Sequence, residues 1–425
     1  MHELFAIVVF IAAYAMIVSE KVNRTIIALL GAVAMVFLGV FSEPAQIFSE
    51  YIDFNTIFLL MGMMIFVSII KKSGIFEYLG TVALKLSKGS ILRLYIYLTT
   101  IVAVVSAVLD NVTTILVIVP ITLAVCDTIE VDPTPFVLGE IFSSNIGGAS
   151  SLIGDPPNIM IGSAANLSFL DFIVNLGPVL LIIFLVSNAL LILLFKKTLI
   201  QKKKDLESIH MGDPLKNNRR NFYISVSLLI ITIILFVLQE VIHVPSSMIA
   251  ILAAMLAAIL IKPTNVEKSF SKIEWATLLF FVGLFIMVGG LEETGVLDQL
   301  ANFMLTLSRG SFTTSKLLFL NVSGFASAFV DNIPYTATMI PIVESMKEFN
   351  PVLYGNLDPI WWALSLGACL GGNGTAIGAS ANVVGLAILK KSSAKPLKFV
   401  KFMAYGMLIL IVSLLISSVY LLLFF

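Results

Sequence analysis

Charge is scarce in this sequence: Asp, Glu, Lys and Arg make up 12% of its 425 residues, against roughly 25% in a soluble globular protein. Only two cysteines are present, which excludes a disulfide framework and predicts small buried side chains at Cys126 and Cys369. The formal net charge is zero, so no basic field indicates a nucleic-acid partner.

What the chain has instead is hydrophobic residues, 59% of the total, in runs of about 17–25 residues that recur along its whole length. Runs of this length cross the hydrocarbon core of a bilayer as helices. The composition therefore predicts an all-α polytopic membrane protein surrounded by lipid. The first run, Leu4 to Val18, lacks a basic leading region and a small-residue cleavage site, so we interpret it as a retained span.

The chain is also predicted to be a duplicated unit. An offset of 221 positions carries Asp110-Asn111 to Asp331-Asn332, and Pro120 to Pro341. Each Asp-Asn pair interrupts a long apolar run, where a carboxylate costs several kcal/mol unless it is paired or lines a wet cavity. One such pair alone would be interpreted as an ordinary surface turn. The recurrence of the pair with its surroundings indicates a shared function.

The apolar runs divide the chain into two five-span units joined by a linker at residues 198–220. The first unit, 1–197, is predicted to contain spans near 4–19, 24–41, 54–70 and 170–195, a hairpin at 91–126 and a broken helix at 135–165. The second unit, 221–425, is predicted to contain spans near 222–240, 246–261, 275–291 and 400–424, a hairpin at 315–346 and a broken helix at 361–389.

Basic residues give the predicted orientation in the cell membrane. By the positive-inside rule, the loop at 196–221 is cytoplasmic, because it carries Lys196, Lys197, Lys202, Lys203, Lys204, Lys216, Arg219 and Arg220. Counting outward from this loop places Lys21 and Arg24 inside, and the acidic loop from Glu43 to Asp53 outside. The assignment requires an odd number of crossings in each unit, so the two units are predicted to be inverted relative to each other.

The apolar stretch around each Asp-Asn pair has an unusual length. Between Arg93 and Asp127, about 33 residues would make roughly 50 Å of helix, too long for one span and too short for two with a turn. We therefore predict a re-entrant hairpin with its tip near the bilayer centre, and the repeat predicts a second hairpin. The candidate binding residues at the two tips are Asp110, Asn111, Thr113, Thr114, Asp331, Asn332 and Thr336.

Glycines and prolines interrupt the span at 135–165, and glycines interrupt its counterpart. Glycine lets a helix unwind, and a broken span exposes helix ends at mid-membrane that suit a bound ion. Close packing of small residues is the alternative for one copy, but it does not call for Asp155, Asn158 or Thr375. The candidate residues are Asn145, Gly148, Ser150, Ser151, Asp155, Asn158, Gly372, Asn373, Thr375 and Asn382.

Two hairpin tips and two broken helices in inverted repeats predict the midplane site of a secondary active transporter that works by alternating access, and not an enzyme. An anion channel would also place polar residues at mid-depth, and saturable, gradient-driven counterflow separates the two classes. The pair Gly154-Asp155 matches half the motif of an intramembrane aspartyl protease, but the partner Tyr-Asp is absent.

Four segments resemble the ArsB/NhaD permeases of the ion transporter superfamily, and especially their P-protein-like branch: 107–114, 145–149 with 154–158, 330–334 and 367–375. The resemblance implies a rigid scaffold domain, a mobile transport domain that carries both hairpins and, in many members, a homodimer. It also implies a small ion or metalloid as substrate, as in arsenite or antimonite efflux and Na+/H+ antiport, with transport coupled to H+ or Na+.

More distant relatives in that superfamily carry citrate and dicarboxylates with sodium, and their hairpin tips contain Ser-Asn-Thr. Asn111 and Asn332 match the amide, but Asp110 and Asp331 replace the serine, and two added carboxylates disfavour a dianion. A sodium-coupled carrier of small organic anions is therefore the alternative. The candidate Na+ ligands are Asn111, Asp155, Asn332 and Asn373, and no other cofactor is expected.

Two carboxylates have two interpretations from the sequence. Asp155 is either the ionisable group of the coupling site or a cap for the helix that Pro156 begins. Glu140 is either a proton relay or a side chain that reaches the cytoplasmic surface. Side chains expected to lie away from the centre are Ser144 and Ser163, together with the interface anchors Trp275, Trp361 and Trp362.

Overall fold

A computed structural model of the chain describes residues 2–19, 21–201, 215, 218–261, 267, 270–308, 310–392 and 397–425. The regular structure of these residues is entirely helical. The helices of the first half are α1 (His2–Ser19), α2 (Arg24–Phe37), α3 (Phe54–Ile70), α4 (Ile75–Ser87), α5 (Ile91–Ser106), α6 (Asn111–Thr128), α7 (Thr134–Gly148), α8 (Pro156–Ala165) and α9 (Phe169–Leu194).

The second half contains the same order of helices. They are α10 (Arg219–Val237), α11 (Ser246–Ile261), α12 (Trp275–Glu293), α13 (Val296–Leu307), α14 (Phe312–Phe329), α15 (Asn332–Phe349), α16 (Asp358–Gly371), α17 (Ser380–Ser392) and α18 (Phe399–Phe424). The described part also holds single turns of helix at 44–50, 71–73, 196–199 and 239–242. Most of the linker at 198–220, including Lys202, Lys203, Lys204 and Lys216, lies outside the described residues.

The duplicated sequence produces duplicated local structure. Ser90 and Ser311 cap α5 and α14, and each accepts a hydrogen bond from a backbone amide three residues on. Gly74 precedes α4 and Gly295 precedes α13, with φ of 81° and 72°. Residues with a Cβ rarely adopt this conformation. The sequence repeat therefore extends to the caps and turns.

Six helical segments in the described part are long and apolar enough to cross a membrane: 54–73, 111–128, 169–194, 219–237, 275–293 and 399–424. The shorter apolar helices, of 10–17 residues, are residues 2–17 of α1 together with α2, α5, α11 and α13. A helix of 16 residues is about 24 Å long, less than the roughly 30 Å hydrocarbon core. Helices of full span length and shorter apolar helices therefore occur in both halves.

Helices from the two halves pack reciprocally. Helix α3 packs on α11, and its counterpart α12 packs on α2. Glycine makes both crossings close: a Cβ on Gly62 would lie 2.7 Å from the backbone of Ala250, and a Cβ on Gly283 would lie 2.7 Å from that of Ala28. The same exchange positions the polar segments, because α6 packs on α17 and α15 packs on α8. Each hairpin helix thus meets the broken helix of the other half.

Two tryptophan predictions are wrong. Trp361 and Trp362 are buried on α16, and the Trp362 ring makes an edge contact with Phe172 on α9 at 5.2 Å between ring centres. Their place at the start of a span does not expose them, because α16 is surrounded by α14, α15, α18 and α8. Trp275 is 54% exposed, as an interface anchor would be.

Candidate functional site

The two tip carboxylates begin the second helix of each hairpin. Asp110 Oδ1 accepts a hydrogen bond from the Thr113 amide at 2.9 Å, and Asp331 Oδ1 accepts one from the Ile333 amide at 3.1 Å. Both are therefore N-caps, which satisfy backbone donors that a helix start leaves unpaired. The cap fixes the position of the next residue, so Asn111 and Asn332 lie at the two helix starts.

Asp155 lies where the two tips meet. Its Oδ1 accepts hydrogen bonds from the side-chain amides of Asn111 and Asn332, both at 3.2 Å, and its Oδ2 accepts a second bond from Asn332 at 3.2 Å. The side chain is 1% exposed. Asp155 begins α8, but its carboxylate makes no capping bond to that helix. The cap interpretation of Asp155 therefore has no hydrogen bond to support it.

A second layer of amides joins the two broken helices. Asn145 near the end of α7 donates to Asn373 Oδ1 and Asn382 Oδ1, both at 2.9 Å, and its own Oδ1 lies 3.4 Å from the Asn111 Nδ2. The Nδ2 of Asn373 is buried without a partner among the described residues. Buried amides are nearly always satisfied, so an unpaired one is unusual. The Asn373 amide is therefore a donor beside the centre that a bound solute could use.

Matching asparagines hold the two unwound segments, 149–155 and 372–379, in shape. Asn158 Nδ2 donates to the carbonyls of Ala149 and Ser151 at 3.0 and 2.9 Å. Asn382 Nδ2 donates in the same way to Gly372 and Thr375, at 2.6 and 2.8 Å. These bonds satisfy carbonyls that the broken helices would otherwise leave unpaired, which a membrane interior requires.

The unwound segments are fastened to the hairpin tips by hydroxyl groups. Ser151 Oγ donates to the Ala107 carbonyl and Thr375 Oγ1 donates to the Ala328 carbonyl. Close backbone contact accompanies these bonds, since a Cβ on Gly154 would lie 2.5 Å from both the Gly148 and the Ser106 carbonyl oxygens. Each hairpin tip and the broken helix of its own half therefore form one packed unit.

The structure does not bring every predicted residue into this network. The hydroxyls of Thr114 and Thr336 donate to carbonyls of the preceding turn, Asp110 and Asn332, at 3.0 and 2.8 Å. Ser150 donates to the Gly147 carbonyl at 2.6 Å and lines a separate, mostly apolar cavity beside Phe184. Of the remaining predicted residues, Thr113 lines the central cavity, Gly148 ends α7 and Gly372 begins the second unwound segment.

The placement of Ser144 away from the centre is wrong. Ser144 is fully buried, and its Oγ donates to the Asn111 carbonyl at 3.1 Å. It occupies this position because α7 packs directly on the first hairpin. Ser163 does lie apart, where its Oγ accepts a hydrogen bond from Asn55 at 3.3 Å.

Sequence reasoning missed the partner of Asp331. Arg24 Nη1 lies 2.5 Å from Asp331 Oδ2, and the guanidinium also lies 3.4 Å from Ser380 Oγ and 5.1 Å from the Phe280 ring centre. The positive-inside rule places Arg24 with Lys21 in a basic cytoplasmic loop and predicts no partner for it. One signal was available: Arg24 is the first residue of α2, and a cation there opposes the helix dipole unless an anion compensates it.

The ion pair lies between two cavities that share Arg24 and Ser380. The central cavity, of about 70 Å³, is lined by Asp110, Asn111, Asp155, Asn332, Glu274, Arg24, Leu60, Met64 and Ser380 among others. The second, of about 380 Å³, is lined by Arg24 and Asp331 together with Ile17, Asn23, Phe329, Ile377, Ser380 and Val383. A water needs about 10–15 Å³, so the central cavity has room for an ion and a few waters.

A third cavity, of about 330 Å³, lies between the segment 50–53 that precedes α3 and helices α8, α12 and α15, and it is strongly acidic. Its lining includes Glu50, Asp53, Glu292 and Glu344, with Ser163 and Ala337. Asp53 in this cavity and Glu274 in the central cavity occupy equivalent positions of the two halves. The repeat therefore places a carboxylate at two separate openings of the protein.

An all-helical fold with broken helices and a buried polar centre of this kind defines a membrane transport protein. Comparison with known proteins gives the family. The model of the citrate transporter family CitMHS matches residues 14–367, and the chain belongs to this family of the ArsB/NhaD-type ion transporter superfamily.

Relatives of this chain include bacterial and mammalian membrane proteins. A "46 kDa membrane protein" of Mycobacterium leprae is 42% identical over 426 residues, covering 99% of this chain and 98% of that protein. An "uncharacterized transporter" of Mycobacterium tuberculosis is also 42% identical, and the match covers 98% of this chain and 97% of that protein. The mouse "P protein" is 31% identical and covers 98% of this chain, which spans 60% of that longer protein.

The fold is similar to that of a solved transporter. The crystal structure of the Alcanivorax borkumensis YdaH transporter superposes with a TM-score of 0.62 and covers 92% of this chain and 89% of that chain. Sequence identity over the match is 15%. The likeness confirms the fold class, an all-helical polytopic membrane fold.

The first prediction concerns the ion pair at the second tip. Arg24→Gln leaves the Asp331 carboxylate, which is 15% exposed, without its counter-charge. We expect a loss of about 1–3 kcal/mol, seen as a lower midpoint of thermal unfolding in detergent. Adding Asp331→Asn should recover most of the loss. Lys21→Gln, at an exposed neighbouring cation, is the control and should change little. Strictly additive effects of Arg24→Gln and Asp331→Asn would show that the two side chains do not interact.

Proposed function

We propose that the protein is a secondary active transporter in which Asp155, held by Asn111 and Asn332, binds the transported or the coupling cation. The observation that carries the proposal is the meeting of both hairpin tips on one buried carboxylate. Carboxylate and carbonyl oxygens are the ligands that alkali and alkaline-earth cations prefer. An amide can rotate to offer its oxygen, so Asn111 and Asn332 can change from donors to the carboxylate into ligands of the cation.

The charge of the central cavity favours a small cation or a neutral solute as the cargo. Asp110, Asp155 and Glu274 line it, and the one guanidinium, that of Arg24, is already paired with Asp331. A free anion would have to approach this excess of carboxylates. We therefore favour Na+ or H+ exchange, or movement of a neutral metalloid such as arsenous acid coupled to one of these ions.

A second candidate is a small organic anion such as citrate. Two observations favour it: the family description, and the guanidinium of Arg24 at the junction of the two cavities. An organic anion would displace Asp331 from Arg24, and it would need accompanying cations at the surrounding carboxylates. In this case the same residues would act as a combined anion and cation site.

The proposed mechanism is alternating access by two inverted five-span units. The reciprocal packing of α6 on α17 and of α15 on α8 supports a two-fold relation between the halves. In the proposed orientation, Glu274 and Arg24 lie on the cytoplasmic side of a plasma-membrane protein, so the central cavity faces the cytoplasm. The acidic cavity with Asp53 and Glu344 would then be the external opening, closed from the centre in this state.

The packing of the helices supports a division into a moving part and a fixed part. Hairpins and broken helices are fastened to one another through Ser151, Thr375 and the asparagine bonds, whereas α1–α3 and α10–α12 pair among themselves. We propose that the first group moves as a transport domain against a scaffold made of the second. A homodimer joined through the scaffold would hold this second group fixed in the bilayer.

The inverted arrangement predicts the result of a labelling experiment. Single cysteines at Ser49 and Gln201, both exposed, should react with an impermeant maleimide from opposite sides of the membrane. Cys126 and Cys369 are buried, so background labelling of the native thiols should be low. Labelling of both positions from the same side would contradict the inverted units without affecting the family assignment.

The function is tested by transport in proteoliposomes with imposed Na+ and pH gradients, using arsenite, citrate and Na+ itself as probes. We expect saturable, gradient-driven uptake of at least one probe. Asp155→Asn should weaken its Na+ dependence or its affinity by about tenfold to a hundredfold, because the site loses its central charge. Asp110→Asn should have a smaller effect, since the Asp110 carboxylate caps α6.

The control variant is Thr306→Ala, at an exposed side chain of α13 outside the three cavities described above, which should transport normally. Unchanged Na+ dependence and affinity in Asp155→Asn would exclude Asp155 as the cation ligand. Flux that does not saturate and shows no counterflow would identify a channel instead of a transporter.

A further inference from the structure

A second buried carboxylate lies on α7, outside the central amide network. Glu140 is fully buried, and its Oε1 accepts a hydrogen bond from Thr122 Oγ1 on α6 at 2.5 Å. Its Oε2 is buried and has no hydrogen-bond partner among the described residues, and no basic side chain in that part of the chain pairs with it. The expectation that Glu140 reaches the cytoplasmic surface is therefore wrong.

A second buried polar atom without a hydrogen-bond partner lies at the contact between α5 and α7. The hydroxyl of Tyr95 on α5 is buried without a partner among the described residues. Glycine brings this hydroxyl close to α7, because a Cβ on Gly139 would lie only 2.6 Å from the Tyr95 oxygen. Unpartnered buried polar atoms are rare in native structures, and here two of them lie at neighbouring positions of one helix contact.

The repeat shows that the fold does not need a carboxylate here. With the offset of 221 for the hairpins, the equivalent positions in the second half are Val343 for Thr122 and Lys316 for Tyr95. The broken helices correspond at an offset of 224, which pairs Glu140 with Leu364. Lys316 is also buried, but its Nζ donates to the Leu421 carbonyl at 3.2 Å and thus has a partner. The polar group of Glu140, Thr122 and Tyr95 is therefore specific to the first half.

We propose that Glu140 is a proton-binding site of this transporter, separate from the central site, which is loaded and emptied in each transport cycle. An ionised carboxylate that is buried without a counter-charge is strongly disfavoured, so the proton is the ligand that this environment demands. Thr122 holds one oxygen of the carboxyl group, and the Tyr95 hydroxyl lies at the same helix contact without a hydrogen bond to it.

A sodium ion fits these residues less well than a proton. Sodium sites in membrane proteins draw on several oxygens, including carbonyls of unwound backbone. At Glu140 the backbone belongs to the regular helix α7, whose carbonyls are engaged in its own hydrogen bonds. One carboxylate and two hydroxyls remain, of which Thr122 is already bonded.

The location connects this site to transport. Glu140 precedes Asn145 by five residues on α7, which is about 7.5 Å along the helix axis. A proton at Glu140 and a ligand at the central site would therefore lie on the same half-helix without sharing ligands. Two titratable groups interact electrostatically with Glu140, Tyr95 on α5 and Cys126 on α6. The other helices that pack on α7 carry Asp171 on α9, Asp358 and Cys369 on α16, and Lys390 and Lys391 on α17.

Infrared difference spectroscopy of the purified protein, titrated with acid and base in light and heavy water, tests the proton directly. We expect a C=O stretch of a protonated carboxyl group at neutral pH that disappears in Glu140→Gln. It should persist in Asp127→Asn, which alters an exposed carboxylate on α6. Thr122→Val should shift the band, because the hydroxyl no longer bonds to Oε1. No such band in the wild type, or a band unaffected by both Glu140→Gln and Thr122→Val, would overturn the proposal.

The role in coupling rests on the proposed transport function and has its own test. In proteoliposomes clamped at zero potential, an imposed pH gradient should drive accumulation of arsenite, citrate or Na+ in the wild type. Glu140→Gln should exchange the same probe but lower its limiting accumulation about tenfold per pH unit, since one coupled proton is lost. An accumulation ratio equal to wild type would refute the coupling role. If the wild type moves none of the probes, the proposed function fails, and the infrared test still decides the proton site.

Discussion

The centre of this protein depends on the Asp155 carboxylate, which accepts hydrogen bonds from side-chain amides of both halves of the chain. In a membrane interior a charge persists only where it is paired or hydrogen-bonded, and here the partners are Asn111 and Asn332 at two separate hairpin tips. The caps, glycine contacts and unwound segments around them all serve to bring those two amides to one point. The site is therefore shared between the halves rather than duplicated.

Duplication and asymmetry have different physical origins in this fold. Backbone constraints are repeated: both unwound segments need an asparagine to satisfy their carbonyls, supplied by Asn158 and Asn382. The compensation of charge is not repeated: Asp331 forms an ion pair whereas its counterpart Asp110 makes a capping bond, and no carboxylate corresponds to Asp155 or Glu140 in the second half. Asp331 is paired with Arg24, Asp155 is bonded by amides, and Glu140 has only Thr122. The ionisable chemistry is thus concentrated where the two halves differ.

The helices, the paired tips and the broken spans were predictable from the sequence, because hydrophobic length and glycine placement determine them locally. The asparagines at the centre could be named for the same reason. The Arg24–Asp331 pair, the burial of Trp361 and Trp362, and the position of Ser144 could not be predicted. Each depends on which helices cross, and a run of apolar residues does not specify its neighbours. The transported solute cannot be predicted from the sequence pattern either, because it depends on how many charged side chains line the same cavity.

The central claim is that cargo or coupling ion binds between the two hairpin tips. Cryo-electron microscopy of the wild type in lipid nanodiscs, with and without Na+ and with each transported probe, tests it most directly. The account predicts new density within ligand distance of Asp155, with the side chains of Asn111 and Asn332 turned toward it. Density only in the acidic cavity at Glu50 and Glu344, with the Asp155 bonds unchanged, would contradict it.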